Sequence, residues 1–168
     1  LNRMAKTLQE LTENKRILLV GNSVEILQYN LKDEIESYDT VVRFGQGYPR
    51  KENEDRIGSR TDIWITGYLR QNFARFFEDS LKLHNRCRIH MDKPAKAGTP
   101  KFEHITMFSD EEILEINKEL GVVESEPLGW RPSAGFWAIL FFVRKCNYKS
   151  LTLIGFDFFS KSLPFKTG

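Results

Sequence analysis

The chain has 168 residues, 40% of them hydrophobic and 29% charged, which suits a single domain over residues 1–168. Its 25 basic and 23 acidic residues leave a net charge of only +2, which gives no reason to expect nucleic acid as a partner. No apolar run reaches the roughly 18 residues of a membrane span. The two cysteines and three histidines have no metal-ligand spacing, so we expect no metal site.

The first half of the chain alternates between helix and strand patterns. Its predicted elements, in chain order, are an amphipathic helix over 2–14, a strand over 17–20, a short helix ending near residue 37, a strand over 40–44, a charged loop over 50–55 and a strand over 61–66. The first strand, Ile-Leu-Leu-Val, is apolar without interruption, which is typical of a strand buried on both faces of a parallel sheet. Gly21-Asn22-Ser23 ends it.

The second half continues the alternation. Its predicted elements are a helix over about 69–83, a strand over 88–91, a loop over 92–100, a helix that begins at Ser109 and ends at Gly121, a helix opened by Pro132, and a strand over 151–155. The last of these helices is apolar nearly all round, which predicts burial against the sheet. The whole pattern predicts an α/β, Rossmann-like fold: a mainly parallel sheet with helices on both faces.

Two loops carry groups suited to an anionic ligand. Open α/β sheets bind ligands beyond the carboxyl ends of their strands, where Gly21-Asn22-Ser23 is expected. The segment 131–135, which includes Ser133, lies at the start of the helix opened by Pro132, where free amides favour phosphate or carboxylate oxygens. Each loop also has a simpler interpretation, as a plain turn in the first case and as the start of a helix in the second.

Two sets of segments resemble the sialyl motifs of glycosyltransferase family 29. The segments similar to the long motif are 20–23, 34–44 and 58–61. The segments similar to the short motif are 132–136, the apolar helix after them, Cys146 and 151–156. The two motifs follow each other in the family's order.

The resemblance implies transfer of a sialic acid, or a related 2-keto sugar acid of the Kdo type, from its CMP ester to an acceptor hydroxyl with inversion. The implied partners are a CMP-activated sugar donor and a glycan acceptor, with no metal or other cofactor. We expect the donor to be bound by Gly21, Asn22, Ser23, Arg43, Gly45, Ser133, Ala134, Gly135 and Gly155. Glu25 and Gly45 stand where the family has phosphate-binding asparagines. Either Glu25 points away from the phosphate, or a group such as Arg43, Gln46 or Arg60 replaces the missing contacts.

The family's catalytic histidines lie beyond the short motif, and no histidine follows Phe156 here. We therefore expect the domain to lack its C-terminal catalytic segment and the base to lie beyond Gly168, with His104 as the reserve candidate. Two alternatives remain open: a non-catalytic nucleotide-binding remnant, and a Rossmann-like domain for another nucleotide or a methyl donor.

The cysteine pattern bears on the compartment. Secretory members of the family join the two motifs by a disulfide. Cys146 matches the short-motif cysteine, but Ile17 occupies its partner's position. We therefore expect reduced thiols and a cytoplasmic protein.

Overall fold

A computed structural model describes residues 6–44, 51–66, 87–90, 104–121 and 133–157. The strands are β1 (Arg16–Val20), β2 (Thr40–Phe44), β3 (Ile63–Thr66), β4 (Cys87–His90), β5 (His104–Thr106) and β6 (Ser150–Ile154). The helices are α1 (Leu8–Thr12), α2 (Lys32–Glu36), α3 (Glu54–Ile57), α4 (Asp110–Glu119) and α5 (Ala134–Lys145). Two 3₁₀ turns cover Val24–Gln28 and Lys51–Asn53.

The strands form one sheet in the order β5-β4-β3-β2-β1-β6, and every neighbouring pair is parallel. From β1 the chain adds strands on one side as far as β5, then crosses back to place β6 on the other side of β1. The reversal between β1 and β6 is a topological switch point, where sheets of this kind bind ligands beyond the strand ends.

The side chains of β1 alternate between two hydrophobic cores, one on each face of the sheet. Ile17 and Leu19 belong to the larger core, which α1, α4 and α5 also line. Leu18 and Val20 belong to the smaller core, together with the first 3₁₀ turn, α2 and α3. Burial on both faces explains why this strand has no polar alternation. The α/β, Rossmann-like fold with a parallel sheet and helices on both faces is thus confirmed.

Local structure differs from the prediction in the charged segment over 50–55, which holds the second 3₁₀ turn and the start of α3 instead of a loop. The N-cap residue of α3 makes no side-chain cap hydrogen bond. Long-range bonds hold the helix instead: the Leu31 amide donates to the Arg56 carbonyl (2.8 Å), and the Arg56 guanidinium donates to the Leu27 carbonyl (2.7 Å). Such bonds depend on tertiary structure, so no local sequence pattern predicts them.

Other predictions differ in their limits or cannot be compared. The first helix covers Leu8–Thr12 among the described residues, β3 begins at Ile63, and β5 lies where no strand was predicted. The predicted helix over 69–83, the loop over 92–100 and Pro132 lie outside the described residues.

Helix α5 packs against the sheet, as predicted, and it does so with one face. Ala138, Phe141 and Phe142 are buried, whereas Val143 is 55% exposed. A helix layered on a sheet covers it with one face, and its other face points outward. Within the described ranges, no helix is both long and apolar enough to span a membrane.

Cys146, at the C-terminal end of α5, is a free thiol. Burial raises its pKa from 9.0 to about 11, and a side-chain hydrogen bond with Thr12 opposes part of that shift. The thiolate is the reactive form, and at pH 8 it is about 100-fold scarcer at the raised pKa. We expect iodoacetamide to alkylate Cys146 about 100-fold more slowly in the native protein than in the urea-unfolded chain, measured by peptide mass spectrometry. Equal rates would contradict this expectation.

Candidate functional site

The loops that follow β1 and β6 meet at the carboxyl edge of the sheet, at the switch point. The Gly21 amide donates to the Ile154 carbonyl (2.8 Å), and the Ser23 amide donates to the Gly155 carbonyl (3.0 Å). These bonds hold a segment of the long-motif resemblance against a segment of the short-motif resemblance. The predicted donor-binding residues Gly21, Ser23 and Gly155 therefore lie together.

Two glycines make this close approach possible. A Cβ atom on Gly21 would lie 2.3 Å from the Gly155 carbonyl oxygen, a backbone atom. Gly155 has a φ of +68°, and a Cβ there would lie 2.9 Å from Ile26 and 3.0 Å from the Gly21 carbonyl oxygen. A side chain at either position would force the two loops apart.

The start of α5 joins the same edge through Gly135. Ser133 is the N-cap, and its hydroxyl accepts from the Phe136 amide (3.3 Å). A Cβ on Gly135 would lie 2.7 Å from Cε1 of Phe156, the residue after Gly155. The amides of Ala134 and Gly135 fall in the first turn, which has no acceptors within the helix, so they suit ligand oxygens.

Asn22 links this edge to β2. Its side-chain amide donates to the Phe44 carbonyl (3.3 Å). The Phe44 ring meets the Phe156 ring edge to face, with centroids 5.7 Å apart. The Ser23 hydroxyl accepts from the Glu25 amide (3.3 Å) and caps the first 3₁₀ turn. Asn22 and Ser23 thus lie at the predicted edge and also make bonds within the protein.

The Arg43 side chain is fully buried. Its Nε donates to the Arg60 carbonyl (3.1 Å), and its Nη2 donates to the carbonyls of Ile57 (2.7 Å) and Gly58 (3.5 Å). Desolvation lowers its pKa to about 10, opposed by the charge of Glu36, so the group remains a cation at neutral pH. Its Nη1 is buried and has no hydrogen-bond partner among the described residues.

Arg60, which was also expected as a phosphate contact, binds other groups of the protein. Its Nη1 donates to the carbonyls of Glu36 (3.1 Å) and Tyr38 (2.6 Å), and its Nε pairs with Asp62 at 2.8 Å. Gly45 and Gln46 lie outside the described residues. Contacts of Arg43, Gly45 and Arg60 with a donor stay predictions.

The sheet order keeps His104 away from the site. His104 is the first residue of β5, so its backbone lies at the amino edge and four strand spacings from β1, roughly 19 Å at about 4.8 Å each. His90, the last residue of β4, reaches the carboxyl edge three spacings from β1. Among the described residues, no cluster of three His, Cys, Asp or Glu side chains could hold a metal ion. A mechanism without a metal stays a prediction.

Sequence reasoning missed Phe44 and Phe156 as parts of the site. Phe156 stands in the short-motif resemblance directly after Gly155, which was the available signal. Nothing in a single sequence reports that its ring meets Gly21, Gly135 and Phe44.

We expect Ser133→Ala to lower the free energy of unfolding by about 1 kcal/mol, because it removes the N-cap of α5. Calorimetry with CMP, at a temperature where the variant is folded, tests for a second role. A lower CMP affinity in the folded variant than in the unmodified chain would indicate a direct contact between Ser133 and the ligand. Ser109→Ala is the matched control, because Ser109 caps α4 in the same way through the Glu112 amide (3.2 Å). An unfolding free energy unchanged in Ser133→Ala would contradict the capping role.

Comparison with known proteins finds similarity among solved structures. No protein-family model matches the chain, and no curated protein matches it. Among solved structures, the fold is similar to that of a mammalian sialyltransferase crystal structure, with 17% sequence identity and a TM-score of 0.49. The similarity covers 85% of this chain and 55% of that chain, so this chain spans little more than half of the other's length.

Proposed function

We propose that the chain is a sialyltransferase-like glycosyltransferase domain that binds the CMP ester of a 2-keto sugar acid. One observation carries the proposal: segments from two separate sialyl-motif resemblances are hydrogen-bonded to each other at the switch point of the sheet. Polar loop groups and helix-start amides lie together at the carboxyl edge of the sheet, because Gly21–Ser23 contacts Gly155 and the start of α5 joins the same edge. That combination suits an anionic nucleotide ligand.

The proposed reaction is a displacement at the anomeric carbon of the donor sugar. The acceptor oxygen forms a bond to that carbon as the bond to the phosphate oxygen of CMP breaks, and the hydroxyl proton passes to a base. Amides at the start of α5 would stabilise the charge of the leaving phosphate or the donor carboxylate. The proposal assigns the base to a segment other than β4 and β5, which carry His90 and His104.

Calorimetric titration with CMP, UMP, AMP and NAD tests the nucleotide assignment. We expect CMP to bind at least about tenfold more tightly than the other three. Equal binding of all four, or no binding of CMP, would remove the assignment, and preference for AMP or NAD would favour a different Rossmann-like function.

A charge substitution tests the position of the site. Asn22→Asp keeps the side-chain shape, adds a negative charge next to the proposed phosphate and removes the hydrogen bond to the Phe44 carbonyl. CMP affinity should fall about tenfold or more, and it should fall less in Asn22→Ala, which removes that bond without adding charge. Asn14→Asp adds the same charge just before β1, at the amino edge. Similar losses in Asn22→Asp and Asn14→Asp would place the nucleotide elsewhere.

Catalysis is tested by transfer from CMP-sialic acid and CMP-Kdo to a panel of sugars. We propose that the 168-residue chain alone transfers the sugar slowly, because no histidine follows Phe156, where the resemblance implies the base. A positioned base is worth about 10²- to 10⁴-fold in rate. Rapid turnover would overturn this, and loss of that turnover in His104→Ala would assign the base to His104.

We also propose a cytoplasmic location, because Ile17 occupies the position of the disulfide partner and is completely buried in β1. Peptide mass spectrometry of protein isolated from cells should find Cys87 and Cys146 as thiols. A disulfide between them would contradict the proposal.

A further inference from the structure

We propose that Phe156 is a positioning residue that holds the loop after β1 and the start of α5 in the geometry that binds the donor. The inference rests on the proposed function, because it concerns the same site. It goes beyond that function by assigning a role to an apolar side chain that makes no polar contact with a ligand.

The Phe156 ring lies against all three segments that form the site. A Cβ on Gly21, in the loop after β1, would lie 3.0 Å from its Cδ2. A Cβ on Gly135, in the first turn of α5, would lie 2.7 Å from its Cε1. The ring also meets Phe44 at the end of β2, whose carbonyl accepts from Asn22.

The glycines complement this ring. At Gly135 the space that a side chain would take is occupied by Phe156, and at Gly21 it is shared by the Gly155 carbonyl and Phe156, so the backbones of both segments lie directly against the ring. Close-packed groups resist small displacements, since even one methyl group added or removed shifts its neighbours. The distance between the Gly21 loop and the α5 amides is therefore set by the width of one phenylalanine ring.

Phe141 provides a matched comparison in the larger core. It is buried in α5 and packs against Phe108 and Phe142, with ring centroids 6.1 Å and 5.5 Å away. Phe141 is 2% exposed and Phe156 is partly buried, so replacement by leucine should cost at least as much stability at Phe141 as at Phe156. Only Phe156 touches the glycines of both site segments among the contacts of the described residues.

The first test compares Phe156→Leu with Phe141→Leu by calorimetry with CMP, at a temperature where both variants are folded. We expect the Kd for CMP to rise about tenfold in Phe156→Leu and to stay within about twofold of the unmodified chain in Phe141→Leu. A core role alone would lower the stability of both and change neither Kd. Unchanged CMP affinity in folded Phe156→Leu would overturn the inference.

The second test enlarges the side chain at Gly135 and reduces the one at Phe156, its neighbour in the structure. Gly135→Ala adds a methyl group that meets the Phe156 ring, so it should weaken CMP binding about tenfold by itself. In the double variant with Phe156→Leu, the methyl group fills space that the smaller side chain leaves. We expect the double variant to bind CMP more tightly than either single variant, and additive losses would contradict the proposed contact.

A measurement without ligand separates this inference from the proposed function. Amide hydrogen exchange reports the Ser23 amide, bonded to the Gly155 carbonyl, and the Trp137 amide, bonded to the Ser133 carbonyl. The exchange rate of each amide is compared with that of the Lys149 amide, which lies at the amino edge. In Phe156→Leu both relative rates should rise about tenfold, whereas in Phe141→Leu both should stay unchanged. If the unmodified chain binds no CMP, the proposed function fails, and this exchange pattern alone decides whether Phe156 positions the two segments.

Discussion

Gly21→Ala is expected to lower the free energy of unfolding by about 3 kcal/mol and to abolish CMP binding. The added Cβ would lie 2.3 Å from the carbonyl oxygen and 2.8 Å from the carbonyl carbon of Gly155. Both are backbone atoms, so no side chain can rotate to make room. The loops after β1 and β6 would have to separate, which breaks the Ser23 to Gly155 hydrogen bond. Urea unfolding followed by tryptophan fluorescence measures the loss.

Gly121→Ala is the control for this substitution. Gly121 has a φ of +66°, and a Cβ there would meet nothing within 4 Å. Its replacement should cost only the backbone strain of the left-handed conformation, about 1 kcal/mol, and should leave CMP binding unchanged. If Gly21→Ala costs no more than Gly121→Ala, the close approach of the two loops is wrong.

Arg43→Met is expected to lower the free energy of unfolding by about 3 kcal/mol, the second large effect. Methionine keeps most of the buried volume but donates no hydrogen bonds, so the carbonyls of Ile57, Gly58 and Arg60 lose the guanidinium. Part of this loss is offset because methionine carries no charge. The variant avoids the desolvation cost of a buried guanidinium, the same cost that lowers the pKa of Arg43. Arg43→Lys should also be destabilising, because a single ammonium cannot reproduce the planar fork.

Arg144→Met is the matched control for Arg43→Met. Arg144 is exposed and pairs with Glu119 on the surface, so its loss should change the free energy of unfolding by less than about 0.5 kcal/mol. The stability of Arg43→Met also separates two roles for Arg43. A variant that keeps full stability and loses CMP affinity would indicate a direct donor contact and contradict the structural role.

The parts of the fold that were predictable from sequence carry their own local signals. β1 is continuously apolar after Arg16, β2 begins with three β-branched residues, and α4 begins with a capping box in which Ser109 and Glu112 each bond the other's backbone. α3 and β5 carry no such signals. α3 depends on bonds from Leu31 and to Leu27, and β5 is three residues long and pairs with β4 among the described strands.

The candidate site divides in the same way. The loop glycines and Ser133 were identifiable because turn and cap chemistry is local. The burial of Arg43 was not, because β2 looks the same whether its arginine faces solvent or a cage of carbonyls from 57–60. The contacts of Phe156 were also hidden, since they join residues that are close only after the chain has crossed back to β6.

That crossing has a consequence for how the protein is made. β1 is complete at Val20, but the strand on its second side ends at Ile154. On a ribosome that adds about 5–20 residues per second, β1 would wait roughly 7–27 seconds with the backbone N–H and C=O groups of one edge unpaired. An unpaired edge of this kind invites pairing with other chains, and contacts between distant residues form slowly. A nascent chain that stalls before β6 is therefore expected to depend on chaperones until β6 emerges.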